Sequence, residues 1–195
     1  MPTIGYRLLA AVLALTLLAA AGEPPSVLRR GINITNWFRF PPSRDPAALR
    51  AYLSDTVLEE LKHVGFSFVR VPVQPDLLAA PDALADAVAR VQRHGLAVVV
   101  ALFAAANPAD RAKLLATWRS LAPMLRRFDP ASTFPEVLNE PVYASDPAAW
   151  ARLQHEAVMA IRTSLPANTI VLTGADWGSI RGLLSLPPES DPNVI

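Results

Sequence analysis

Strand-like and helix-like segments alternate through this chain at roughly 30-residue spacing, a beat that means parallel βαβ units joined by right-handed crossovers. Gly31-Ile-Asn-Ile-Thr35 reads as the first strand, and Asn36-Trp-Phe-Arg-Phe40 emerges at its carboxyl end. Asp45-Pro46 opens a helix, with Asp as N-cap and Pro at the first helical position. Leu53, Val57, Leu61 and Val64 supply its apolar stripe, and Gly65 ends it before a second strand over 66–73. A helix opening at Pro81 turns Leu84, Val88 and Val91 inward and stops at Gly95. Residues 96–102 form the third strand, apolar on both faces as a buried parallel strand should be. Asn107-Pro108 opens the next helix, with Leu114, Trp118, Leu121, Leu125 and Phe128 on one side.

The stretch Phe134-Pro-Glu-Val-Leu-Asn-Glu-Pro-Val142 holds the fourth strand. Val137 and Leu138 are its buried end, Asn139 and Glu140 stand at its carboxyl end, and Pro141 stops the pairing for want of an N–H. Asp146-Pro147 opens a fourth helix, with Trp150, Leu153, Ala157 and Ile161 inward. A fifth strand follows over 169–174, and 193–195 reads as the beginning of a sixth.

Two α/β architectures fit this beat. A doubly wound sheet would usually carry a Gly-rich phosphate turn after its first strand, and Asn36-Trp-Phe-Arg-Phe40 is not one. A (β/α)8 TIM barrel takes about 250 residues, so the 195 present would supply an incomplete barrel of about five βα units and the start of strand six. Val69, Val71, Val98, Val100 and Val171 are then expected to face the barrel interior. In both architectures the active surface lies at the carboxyl ends of the strands.

Composition narrows the chemistry. With no cysteine, disulfides, zinc-thiolate sites and thiol nucleophiles drop out. A formal charge of +1 gives no footprint for nucleic acid or an anionic membrane. Residues 1–21 combine Arg7, an apolar run over 8–18 and Ala19-Ala20-Ala21, the pattern of a secretory signal peptide rather than a membrane span. The expectation is one catalytic-domain portion over 22–195, secreted or periplasmic, monomeric and with no membrane attachment after cleavage.

Selecting by strand ends gives a short set: Asn36, Trp37 and Phe38; Arg70 and Gln74; Phe103; Asn139 and Glu140; Asp176 and Trp177. Carboxylates, amides, an Arg and indoles suit a polysaccharide or oligosaccharide, whose rings offer apolar C–H faces and hydroxyl rims. Arg70 lies in the otherwise apolar run Phe-Val-Arg-Val-Pro-Val and therefore needs a carboxylate partner. Trp118 and Trp150 fall on helix stripes and read as core. His63, His94 and His155 lie in helices or at their ends, placed for neither a metal cluster nor a triad. No metal or organic cofactor is implied.

Gly31-Ile-Asn-Ile-Thr-Asn-Trp-Phe38, Leu61-Lys-His-Val-Gly-Phe-Ser-Phe-Val-Arg-Val-Pro72 and Glu136-Val-Leu-Asn-Glu-Pro141 together resemble the cellulases of glycoside hydrolase family 5. The resemblance implies a (β/α)8 barrel and retaining hydrolysis of a β-glucan or related polysaccharide. It implies Glu140 as acid/base, Asn139 as ligand of the sugar 2-hydroxyl and Arg70 as positioner of the nucleophile. Asn36, Trp37, Asp176 and Trp177 complete the expected substrate-binding set.

This chain departs from the family's pattern at the end of strand three, where Ala101 and Phe103 replace the usual aspartate and histidine. The family's nucleophilic Glu lies on strand seven, beyond Ile195. Retaining chemistry needs two carboxyl groups about 5–5.5 Å apart. Asp176 is the second rim carboxylate within this sequence and is read as a substrate ligand; Asp76 follows strand two and lies farther off. The expectation is a hydrolase that lacks its nucleophile within these residues and is inactive alone. A non-catalytic carbohydrate-binding pseudoenzyme is the alternative.

Overall fold

The computed structural model describes residues 25–79, 81–104 and 110–195; the apolar leader and the Asn107-Pro108 helix start lie outside the described residues. Four strands, β1 (Gly31–Asn33), β2 (Phe68–Val73), β3 (Ala97–Leu102) and β4 (Thr133–Glu136), form one parallel sheet in chain order. The helices are α1 (Thr35–Phe38), α2 (Pro46–Ala51), α3 (Asp55–His63), α4 (Pro81–Arg93), α5 (Arg111–Leu125), α6 (Pro147–Arg162) and α7 (Ile180–Leu184). The sheet continues past β4 through parallel bridges from Glu136 to Val171 and from Ile170 to Val194. Strand order equal to chain order, with helices between, is the geometry of an incomplete (β/α)8 barrel.

Side-chain alternation divides each strand between two environments. Val69, Val71, Val98, Val100 and Leu102 pack outward with Leu84, Val88, Trp118 and Trp150 in the large core beneath the helices. Phe68, Ala97, Val99, Phe134 and Val171 form a smaller cluster on the concave face. The expected interior placement holds for Val171 and is reversed for Val69, Val71, Val98 and Val100. The correction follows from period two, since Arg70 cannot face the lumen unless its neighbours Val69 and Val71 face the helices. Gly31 belongs to the same concave face, where the Phe68 ring lies so close that a Cβ at 31 would meet it at 2.1 Å.

Three element boundaries differ from expectation. The helix read through 45–64 is two helices, because the Ser54 side chain accepts from Val57 N and caps a new start at Asp55. Leu49 and Leu58 are consequently the buried residues, while Val57 and Val64 are exposed. Strand β4 ends at Glu136, so Val137 and Leu138 are buried beyond the strand. The fifth strand shrinks to its bridges, because helix α6 takes over the backbone beyond them. Thr173 N donates to Gln154 Oε1 at 2.9 Å, and Trp150 Nε1 donates to Thr173 O at 2.8 Å.

Other expectations hold. The Asp45 and Asp146 carboxylates cap α2 and α6, with Pro in the first turn of each. Gly65 and Gly95 adopt φ of +93° and +70° after α3 and α4, a conformation glycine accepts without steric cost. Trp118 and Trp150 are fully buried.

Candidate active site

The loops at the carboxyl end of the sheet are stitched together as a continuation of the ladder. Gln74 N donates to Phe38 O at 2.9 Å, Phe103 N to Val73 O at 2.8 Å and Asn139 N to Leu102 O at 2.8 Å. Trp177 N to Pro141 O at 2.9 Å and Tyr143 N to Ala175 O at 2.8 Å join the fourth loop to the fifth. Side chains on this rim are therefore held by backbone pairing, although they lie outside the strands.

Arg70 is the centre of the arrangement. Its Nε donates to Glu136 Oε2 at 2.6 Å and its Nη2 to Glu136 Oε1 at 2.5 Å, a bidentate fork. Nη2 also reaches Asn139 Oδ1 at 2.8 Å, and Nη1 reaches Asn33 Oδ1 at 2.8 Å. The fork spans from β2 to β4 across β3, where Ala101, the register neighbour of Glu136, presents only a methyl group. The expected carboxylate partner of Arg70 is thus Glu136, whose side chain is only 6% exposed.

This pairing dictates the Asn139 carboxamide. A guanidinium only donates, so Asn139 must turn Oδ1 toward Arg70 and Nδ2 away. Nδ2 is buried there without a hydrogen-bond partner. Glu140, next in the chain, is differently placed. Its side chain is 40% exposed, and Arg39 Nη2 stands 3.9 Å from Oε2. Two carboxylates four residues apart thus have different environments, one locked in a buried fork and one partly exposed beside a single, longer ion-pair contact.

Arg39 stands over two aromatic rings, its guanidinium carbon 3.7 Å from the Phe103 centroid and 4.8 Å from that of Phe40. Tyr143 is buried against Trp150, and its hydroxyl lacks a partner. Burial, followed by the negative charge of Asp110, pushes the Tyr143 phenol above its ordinary range.

Of the expected site residues, Arg70, Asn139 and Glu140 gather at the rim. Asp176 lies half-buried in the fifth loop, bridged through its backbone to Val142. Trp177 is 61% exposed beside it, at φ +51°, an uncommon conformation for a bulky residue. One assignment is corrected. Trp37 is fully buried and donates Nε1–H to Leu49 O at 2.7 Å, because α1 turns it under α2, so it stacks on no ligand. Asn36 is exposed on α1, after β1, and makes no described side-chain hydrogen bond; a second amide, Asn33 on the concave face of β1, joins Arg70.

Sequence reasoning did not assign roles to Glu136, Asn33, Arg39 or Phe40. The period of two could have found the first two, since it puts Asn33 and Glu136 on the face that Arg70 must share. Among the described residues, no group of three or more His, Asp or Glu is placed to hold a metal ion. No described helix is long and apolar enough to cross a membrane.

Residues 29–195 match the cellulase family, glycosyl hydrolase family 5. The chain belongs to that family. Thermotoga maritima Cel5A in complex with mannotriose superposes with a TM-score of 0.76 at 26% identity, covering 88% of this chain and 60% of that one. The cellulose synthase subunit Z from Clostridioides difficile gives 0.72 at 24% identity, covering 85% and 59%. The catalytic domain of Thermobifida fusca endoglucanase Cel5A gives 0.62 at 17%, covering 85% and 56%, a likeness of fold alone. The present chain thus spans about 60% of the length of its first structural neighbours. No curated protein matches it.

Proposed function

We propose that this family 5 chain supplies the acid/base side of a retaining glycosidase site for a β-glucan or related polysaccharide. One observation carries the reading. Among the described residues, the buried side-chain atoms without a hydrogen-bond partner are Arg39 Nε, Asn139 Nδ2, Tyr143 OH and Thr173 Oγ1. All four belong to residues at or beyond the carboxyl ends of strand positions. Buried polar groups are normally paired, and of these four Asn139 Nδ2 stands next to Glu140 and is aimed away from Arg70, an unmatched donor of the kind a sugar hydroxyl satisfies.

Glu140 is the general acid, exposed enough to reach a glycosidic oxygen. Asn139 donates Nδ2–H to a sugar hydroxyl while Arg70 holds its other end. Arg70 acts by positioning, and its charge is met by Glu136. The second carboxylate of a retaining pair must stand about 5–5.5 Å from the first, and the family pattern assigns it to a seventh strand. The residues present here therefore bind glycan without efficient turnover. Cello- and manno-oligosaccharides are the first ligands to test, since Thermotoga maritima Cel5A has been crystallised with cellobiose and with mannotriose.

The test is a paired measurement of oligosaccharide binding by calorimetry and release of reducing ends from β-glucan. Saturable binding is expected; failure to bind any cello- or manno-oligosaccharide overturns the reading. Any hydrolysis of an unactivated glucan should fall by about 100-fold or more in Glu140→Gln, with activated aryl glycosides less affected at the glycosylation step. Equal turnover by the variant removes Glu140 from the acid role. Robust turnover by the wild-type chain would instead promote Asp176 to nucleophile. Ala101 and Phe103 at the end of β3 favour a second reading, a carbohydrate-binding protein without catalysis, which predicts binding that survives in the absence of any turnover.

A further inference from the structure

The first loop buries Trp37 and Phe38 completely yet leaves Phe40 54% exposed. Phe40 is nonetheless held in place. Its ring meets Phe103 edge-on, with centroids 5.8 Å apart and planes at 72°. The Arg39 guanidinium touches both rings, 4.8 Å from the Phe40 centroid and 3.7 Å from that of Phe103. Backbone hydrogen bonds from Gln74 N to Phe38 O and from Phe103 N to Val73 O fix the loops that carry these rings. An exposed aromatic with its orientation set in advance loses little freedom when a ligand stacks on it.

The stack leads directly to Glu140 through the 3.9 Å approach of Arg39 Nη2. Phe103 also lines a cavity of about 610 Å³, together with Gln74, Asp76 and Lys113. The Gln74 amide and the Lys113 ammonium can there hydrogen-bond hydroxyls, while the Asp76 carboxylate is paired with Arg44. In the order of the sheet, Phe103, half-buried and carrying the exposed Phe40 against it, follows β3, Glu140 follows β4, and the exposed Trp177 follows the segment paired beyond β4. Glu140 therefore has an exposed aromatic on each side.

We propose that Phe40, supported by Arg39 and Phe103, is a sugar-stacking subsite on the β3 side of Glu140, accepting one pyranose ring of a neutral β-linked glycan. The ring packs its C–H face on the phenyl, and the hydroxyls at its Phe103 edge turn toward the cavity that Gln74 lines. Glu140 offsets the charge of Arg39, so the platform does not require an acidic sugar. It replaces, with an apolar surface, the polar wall that family resemblance leads one to expect at the end of β3. The proposal rests on the reading of the rim as a glycan site and adds the residue that sets how many sugar units are gripped.

The test is a titration of the purified protein with cellobiose, cellotetraose and cellohexaose, repeated for Phe40→Ala, Phe40→Trp and Phe103→Ala. The wild type should bind the hexaose more tightly than the disaccharide. Phe40→Ala should weaken hexaose binding about 3- to 10-fold, the effect of losing one aromatic stacking contact. Phe40→Trp should restore it, and Phe103→Ala should weaken it through loss of the support. Thermal unfolding of Phe40→Ala should fall by no more than a few degrees, because about half of the residue is already in solvent and only the contacts with Phe103 and Arg39 are lost. Hexaose affinities within twofold across all four proteins would overturn the subsite and leave the proposed function standing. Absence of glycan binding by the wild type would overturn both.

Discussion

The two ends of the sheet treat polar groups in opposite ways. At the amino-terminal end Arg162 spends its donors on Asp191 Oδ2 at 2.5 Å and Oδ1 at 3.0 Å, and on the carbonyls of Leu165, Asn168 and Asn193. Gln92 Nε2 reaches Ser132 and Thr133 Oγ1, and Asn168 Nδ2 reaches Thr133 O at 2.8 Å. At the carboxyl end, Asn139, Tyr143, Thr173 and Arg39 each leave a buried polar atom unpaired. A saturated end contributes stability, whereas an unsaturated end keeps donors and acceptors for a ligand at the cost of stability. Arg70 is the exception that joins them: it lies toward the open end yet is saturated, and the unpaired Asn139 Nδ2 depends on it.

Glu136 is where that comparison breaks most severely. Glu136→Ala leaves the Arg70 guanidinium without its main counter-charge in a site where Glu136 itself is almost fully buried. Removing one partner of a buried pair typically costs about 3–5 kcal/mol, so chemical denaturation should show a midpoint far below wild type. An Arg70→Met, Glu136→Leu double variant should recover much of the loss, because neither charge is then stranded. A single-variant loss below about 1 kcal/mol, within the range of an exposed pair, would mean that the fork does not anchor the site.

The saturated end is sharpened by pH. The Arg162 hydrogen bonds hold the Asp191 carboxyl below its ordinary range, outweighing the opposing effect of burial. A depressed folded-state pKa contributes stability that is fully present above the unfolded value of about 4 and is lost as pH falls through the folded value. Asp191→Asn should therefore cost on the order of 1–3 kcal/mol at neutral pH and show a shallower loss of stability on acidification than wild type. Parallel acid-unfolding curves for the two proteins would contradict the assignment. The segment bearing Val194 should loosen first in the variant, because Arg162 ties Asp191 and Asn193 together.

Much of this contrast was legible in residue order, for stated reasons. Alternating apolar strands and capped helices gave parallel βα units, since Asp45-Pro46, Asp146-Pro147, Gly65 and Gly95 have strong local preferences that tertiary packing did not override. A charged residue inside β2 announced a partner, and the Asn-Glu-Pro stretch announced the rim. Arg70 and the valines beside it were harder to place together, because a run apolar on both faces hides which face is the lumen; only Asn33, Arg70 and Glu136 break the degeneracy. Trp37 could not be separated from Phe40 by composition. Both aromatics follow β1, and which one is buried depends on the turn of α1 against α2, where Leu49 O accepts the indole N–H.

The smallest effect is the most discriminating, because it uses the same substitution at each end. Thr133 is fully buried at the amino-terminal end, and its Oγ1 accepts from Gln92 Nε2 at 2.8 Å. Thr173 lies at the carboxyl end with its Oγ1 buried and unpartnered. Threonine and valine have nearly the same shape, so replacing one with the other chiefly removes the hydroxyl. Thr133→Val removes a satisfied hydroxyl and should cost about 0.5–1.5 kcal/mol, moderated because Gln92 still reaches Ser132 Oγ at 2.9 Å. Thr173→Val removes a hydroxyl already deprived of a protein partner, so stability should stay level or rise by up to about 1 kcal/mol. Ligand binding should reverse the order, with Thr133→Val binding cellohexaose as wild type does and Thr173→Val binding it more weakly. Equal destabilisation by the two substitutions, measured by denaturant titration, would show that the carboxyl end is as saturated as the other and would remove the distinction between them.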